Sequence, residues 1–162
     1  MKRFPLPDEL TLPTRDEILE MHDVQLERYG GKPGFNEQKI IGIDAVLGRV
    51  RHHIDYADAP DLLSAVAILW HGLTQAHAFL DGNKRTALMT MAVTLEMNGV
   101  TYDRGGEYAA NFIELLFAEA GESTIELQAF EANLRQNTRA LDYHHLTAHA
   151  PEGPDPTGTK DT

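Results

Sequence analysis

The strongest constraint on the fold is an apolar stripe that begins near Pro60. Leu62, Val66, Leu69, Leu73 and Ala76 recur at helical spacing. Proline suits a first helical position, where its missing amide leaves nothing unsatisfied. A second helical pattern opens at or just after Asn83 and runs to Met97, with Asn98-Gly99 as its stop. Its Ala87, Leu88, Met89, Met91, Ala92, Val93 and Leu95 lie on nearly all sides of the axis, which predicts a central helix buried by its neighbours.

The rest of the chain reads the same way. Thr14-Arg15-Asp16-Glu17 is a capping box, and its helix should run to about Tyr29 and stop at Gly30-Gly31. An irregular stretch with Pro33, Gly34 and Gly42 follows, then a helix over Asp44 to His53. Glu107 to Ala120 makes another, and Ser123-Thr124-Ile125-Glu126 is a second capping box, opening a helix that carries Leu127, Phe130 and Leu134. Val100-Thr101-Tyr102 is the one short strand candidate. The fold class is therefore all-α, a compact helical bundle over residues 1–146. Residues 147–162 turn polar and rich in Pro, Gly and Thr without periodicity, the composition of a disordered tail.

Composition excludes several functions. With no cysteine there is neither a disulfide nor a thiolate nucleophile, and any metal site must use histidine and carboxylate. The net charge of −11 opposes coating of nucleic acid, which needs a basic face, but not the binding of one nucleotide. No apolar run approaches a membrane span, and the basic start Met1-Lys2-Arg3 has no apolar stretch behind it, so a cytoplasmic protein without membrane partners is expected.

Chemistry concentrates in His77-Ala78-Phe79-Leu80-Asp81-Gly82-Asn83-Lys84-Arg85, between the two strongest helices. The first amides of a helix lack intrahelical acceptors and sit at the positive end of its dipole, which makes an anion site. Lys84 and Arg85 in that first turn each cost the bare helix about 0.3–1 kcal/mol, unless an anion lies between them. The bland alternative is that both swing out to surface carboxylates. Gly82 clears space for a phosphate to approach backbone amides. Asp81 offers a hard oxygen for Mg²⁺. His77 has the proton affinity of a general base near neutrality, and Phe79 is the apolar anchor. Together these are the parts for transfer chemistry on a nucleotide.

The segment resembles the signature loop of the Fic/Doc superfamily, His-x-Phe-x-Asp/Glu-Gly-Asn-Gly-Arg-x-x-Arg. It matches through Asn83, then has Lys84 for the second glycine and Leu88 for the final arginine. Lys84 followed by Arg85-Thr86-Ala87 is similar to the death-on-curing (Doc) branch. Glu96 to Val100 and His22 to Gly31 extend the likeness, so that it covers roughly residues 14–135. The resemblance implies ATP and Mg²⁺ as cofactors, with His77 as base, Asp81 on the metal and Gly82 and Asn83 in the anion hole. Lys84 and Arg85 would grip phosphate, with Phe79 beside the nucleotide. Lys84 would crowd the pocket that seats the distal phosphates in AMP-transferring Fic enzymes.

A protein kinase is thus implied, acting on a translation elongation factor and controlled by a separate antitoxin, since no autoinhibitory Ser/Thr-x-x-x-Glu-Gly/Asn run is present. The stretch Pro33 to Ile41 would be the target-holding flap, although Asn36-Glu37 departs from the Arg-Asp expected in many Doc sequences. AMP transfer on the same loop and a non-catalytic binding module remain the alternatives. A phosphohydrolase is weaker, for lack of a second metal cluster.

Other conspicuous residues have plainer expectations. His22 shares a helix face with Leu19 and Leu26 and reads as a satisfied core histidine with a possible supporting role. The adjacent pairs His52-His53 and His144-His145 point apart and make poor metal sites. Trp70, Met89, Met91 and Met97 are expected in the core, the acidic residues of the last helices in solvent. Arg135 and Arg139 could reach phosphates late in the fold, but nothing in their spacing demands it.

Overall fold

The computed structural model describes residues 2–120 and 125–141. The chain forms α1 (Arg15–Tyr29), α2 (Ile41–Tyr56), α3 (Leu62–Ala76), α4 (Asn83–Met97), β1 (Val100–Tyr102), α5 (Gly106–Ala120), α6 (Leu127–Asn137) and β2 (Thr138–Ala140). The all-α class holds, with one small antiparallel pair that joins Val100 to Ala140 and Tyr102 to Thr138. The expected strand at Val100 is β1. Its partner was not legible, because Thr138-Arg139-Ala140 has no alternation of its own and is extended by pairing.

α1 begins and ends where its signals lie. Thr14 and Glu17 form the reciprocal capping box, and Gly30 closes the helix at φ 75°. α2 is longer than expected at both ends. It grows out of a backbone-bonded turn, in which Gly42 and Ile43 donate to Lys39 and Ile40. Gly42 lies where a Cβ would stand 3.5 Å from that of Ala76, so it serves close packing against α3 and does not break the helix. α3 starts two residues after Pro60. Its N-cap is Asp61, whose carboxylate accepts from the Ser64 amide while the Ser64 hydroxyl accepts from the Asp61 amide. The helix expected from Ser123 starts later, at Leu127, with Glu126 as an N-cap that makes no side-chain bond. Ser123, Thr124, His144, His145 and the tail 147–162 lie outside the described residues.

α3 and α4 form the centre. α3 packs on α2, α4 and α6, while α4 is held by α3, α1, α5 and β1. α3 is the more deeply buried of the two, with Leu62, Leu63, Val66, Leu69 and Trp70 all inaccessible. α4 buries Thr86, Ala87, Thr90, Met91, Thr94 and Leu95. The threonines pack because Thr90 and Thr94 return their hydroxyls to the carbonyls four residues back. Trp70 stands edge-on to Phe130 at 4.8 Å between ring centres, joining α3 to α6. Met91 is buried as expected, but Met97, the last residue of α4, is exposed. No helix among the described residues is long and apolar enough to cross a membrane.

Candidate active site

α3 runs out at His77, which takes the left-handed conformation at φ 49° and ψ 38°. It is the only non-glycine residue with positive φ among the described residues. Glycine usually fills this position, and holding another residue there costs about 1–3 kcal/mol. The result is an exposed imidazole at the end of the most buried helix. The chain then dips inward at Ala78 and Phe79, both buried, and rises again at Leu80 and Asp81.

Asn83 braces this loop from within. Its side-chain oxygen accepts from the Phe79 amide at 3.0 Å and its nitrogen donates to the Phe79 carbonyl at 2.9 Å. The side chain expected in the anion hole is thus committed to the shape of the loop, leaving the backbone as the donor to an anion. Phe79, expected also beside the nucleotide, packs face to face on His22, 3.8 Å between ring centres, and does not line the cavity. Burial was the correct part of that expectation.

Gly82 caps α4 at φ 78° and provides no side-chain bond to its first amides. The N-terminus of α4 is therefore open. Asp81 stands beside it. Its carboxylate accepts from the backbone amides of Lys32, at 3.1 Å, and of Gly82, at 2.8 Å. The Lys32 amide first, then that of Gly82 and the charge of Arg85, hold Asp81 below the usual carboxylate range, so it is ionised at neutral pH. A Cβ on Gly31 would come within 2.7 Å of the Asp81 carboxylate, so the second glycine after α1 is what admits it.

His77, Asp81, Gly82, Asn83, Lys84 and Arg85 line one cavity of about 580 Å³, as does Leu88. Its opposite wall is α5, through Ala110, Ile113, Glu114 and Phe117. That wall was not foreseen, and nothing in the α5 sequence distinguishes it from an ordinary amphipathic helix. Lys84 Nζ reaches across to Glu114 at 2.8 Å and lies 4.3 Å from the Phe117 ring centre. Arg85 lies over the Tyr29 ring at 5.3 Å. For Lys84 the surface-carboxylate alternative therefore describes the pairing seen, and Glu114 is not a purely solvated residue.

Arg135 and Arg139 are remote from this cavity and contact Asp61 and Asp103 instead. Their expected reach to phosphate is corrected by the packing of α6 against α3, which carries Arg135 to Asp61, and by the pairing of β2 with β1, which carries Arg139 to Asp103. His53 is bonded to Ser64 and His71 to the Ile125 carbonyl. No group of three or more metal-ligating side chains occurs among the described residues.

The stretch expected as a flap is shorter than Pro33 to Ile41, since α2 starts at Ile41. Phe35 forms an isolated antiparallel bridge with Phe79. The Asn36 amide donates to the Ala78 carbonyl and the Leu80 amide to the Gly34 carbonyl.

A model of the Fic/DOC family matches residues 12–95. The chain is also 35% identical over 85 residues to the Protein kinase doc of Escherichia phage P1, a match covering 52% of this chain and 66% of that protein. The family match ends with α4, short of the 14–135 expected, so the α5 wall lies beyond it. The chain belongs to the Fic/DOC family and, by its Lys84 loop and its likeness to a Doc kinase, to the Doc branch.

Proposed function

We propose that this protein is a Doc-type toxin that transfers the γ-phosphate of ATP to a hydroxyl of a protein target, by resemblance a translation elongation factor. Its action would arrest translation in the cytoplasm until a separate antitoxin protein binds it. The observation that carries this reading is the cavity itself. An exposed histidine, an ionised aspartate and two cations at an open helix N-terminus share one space.

His77 takes the proton of the target hydroxyl. The oxygen then bonds to the γ-phosphorus, the bond from that phosphorus to the β,γ-bridging oxygen breaks, and ADP leaves. Lys84 and Arg85 meet the charge on the phosphate oxygens. Lys84 must leave Glu114 to do so. Asp81 fits the metal requirement: Mg²⁺ keeps most of its waters and phosphate oxygens and needs only one or two carboxylates. Each Asp81 oxygen accepts one backbone amide and retains a free lone pair. When bound, Mg²⁺ would neutralise part of the phosphate charge. Lys84 and Leu88 stand where AMP-transferring relatives of this fold have a glycine and an arginine, which favours presentation of the γ-phosphorus. The pairing of Phe35 with Phe79 directs the Phe35 amide and carbonyl away from the loop, a free edge on which an extended target segment can pair.

The test uses a candidate elongation factor and ATP labelled at the α or the γ position. Label from γ supports the kinase. Label from α replaces it with AMP transfer, and no label leaves a binding module. His77→Ala should lower transfer at least about 100-fold, the usual contribution of a general base, with unchanged circular dichroism. Full activity in that variant removes His77 as the base.

A further inference from the structure

His22 was expected as a core residue with a supporting role, and its hydrogen bond and its ring stack are both with the loop. It is buried on α1, and its ring lies parallel to Phe79 at an interplanar angle of 7°. Its Nε2 stands 2.8 Å from the backbone oxygen of Asp81. A carbonyl only accepts, so Nε2 carries the proton and donates. Among the described residues, no other side chain outside residues 77–83 bonds to the backbone of this loop.

The bond matters because of the peptide it holds. In a trans peptide the carbonyl and the following amide point in opposite directions. With the Asp81 oxygen drawn down to α1, the Gly82 amide must face the other way, and it donates to the Asp81 carboxylate at 2.8 Å. Rotation of this peptide unit would bring a partially negative oxygen to the mouth of the anion site and break the Gly82 bond that fixes the Asp81 carboxylate beside it. Gly82, at φ 78°, is the residue type that tolerates such rotation. Within the loop only the bond from the Gly82 amide to the exposed Asp81 carboxylate opposes it, because Asn83 secures Phe79 and does not reach the 81–82 peptide.

We infer that His22 is a positioning residue that locks the Asp81–Gly82 peptide in its anion-accepting orientation, through the Nε2 hydrogen bond and the stack on Phe79. The inference rests on the phosphate-binding role given to the loop above. It assigns His22 no contact with substrate.

Two measurements test it. In the wild-type protein above neutral pH, nitrogen NMR of the imidazole should show the Nε2–H tautomer, coupled to the Asp81 carbonyl. An Nδ1–H tautomer overturns the lock without any variant. His22→Phe keeps a ring to stack on Phe79 and removes the donor. It should shift the Gly82 amide resonance and weaken binding of ATP with Mg²⁺ roughly 2- to 12-fold, the range of one lost hydrogen bond. A Gly82 resonance that stays in place, or unchanged affinity with a moved resonance, overturns the inference. Should His22→Phe fail to fold, the wild-type tautomer decides alone. A wild-type protein that binds no ATP counts against the transferase reading, while the tautomer and the Gly82 resonance still decide the lock.

Discussion

Arg135 and Lys84 each place a nitrogen 2.8 Å from a carboxylate oxygen, yet the two contacts belong to different parts of the molecule's work. The Arg135 side chain is 8% exposed and that of its partner Asp61 2%, whereas Lys84 and Glu114 are 42% and 67% exposed. Arg135 meets Asp61 with two nitrogens, accepts no competition from water and also bonds to Glu131 and the Lys2 carbonyl. Asp61 in turn caps α3. One pair thus ties the N-terminal segment, α3 and α6 together. Lys84 and Glu114 close across an open cavity with both side chains exposed, where an ion pair is worth about 0–1 kcal/mol. A pair that cheap is easily replaced by a phosphate. Equal distance therefore marks a fixed joint in one place and a displaceable contact in the other, and burial is what separates them.

The sharpest way to break this comparison is Arg135→Met. It strands the Asp61 carboxylate in the interior, and stability should fall by about 3–5 kcal/mol, read from urea midpoints. A loss below about 1 kcal/mol would place this pair in the same class as Lys84–Glu114.

Acid should dissect the same joint. Burial opposes ionisation of Asp61, but the Arg135 hydrogen bonds, the Ser64 amide, the Arg135 charge and the Phe4 amide outweigh it, bringing the pKa from 3.8 to about 2. A depressed carboxylate contributes its full stability above its unfolded pKa and loses it as pH falls through the folded one. About 2 kcal/mol should disappear between pH 3.8 and about 2, and Asp61→Asn should flatten that part of the profile. An unchanged slope in Asp61→Asn would assign the acid transition to other groups.

The smallest effect is expected at the cavity. Glu114→Gln should leave stability within about 1 kcal/mol of wild type, because the pair is exposed. It should also free Lys84 and tighten ATP binding roughly two- to fivefold, measured by calorimetry. Weaker binding in Glu114→Gln would show that Glu114 helps to hold the nucleotide and does not compete with it.

Much of this was legible in the chain itself. The capping box at Thr14, the glycine stop at Gly30, the apolar stripe of α3 and the order His77, Asp81, Gly82, Lys84 all depend on neighbours a few residues apart. They appear in the structure where the sequence places them. The start of α3 was misplaced by one signal overriding another: Pro60 suits a first turn, but Asp61 and Ser64 make a capping box in which aspartate takes the usual place of serine or threonine. The role of Asn83 was misjudged for a similar reason. Its amide is equally suited to an anion or to a backbone, and only the fold of the loop brings the Phe79 amide and carbonyl within reach.

By itself, then, the sequence determined the helical class, the helices on either side of the loop and the residue types available for phosphate chemistry, because periodicity and capping are local. Tertiary structure alone decided which helix faces that loop across the cavity, which buried histidine holds the Asp81 carbonyl and which arginine is a structural joint. The physical reason is separation along the chain. His22 lies 59 residues from Asp81, Lys84 30 from Glu114 and Asp61 74 from Arg135. Nothing in the identity of either partner announces the other, and only the packing of α1, α5 and α6 around the central pair of helices brings them together.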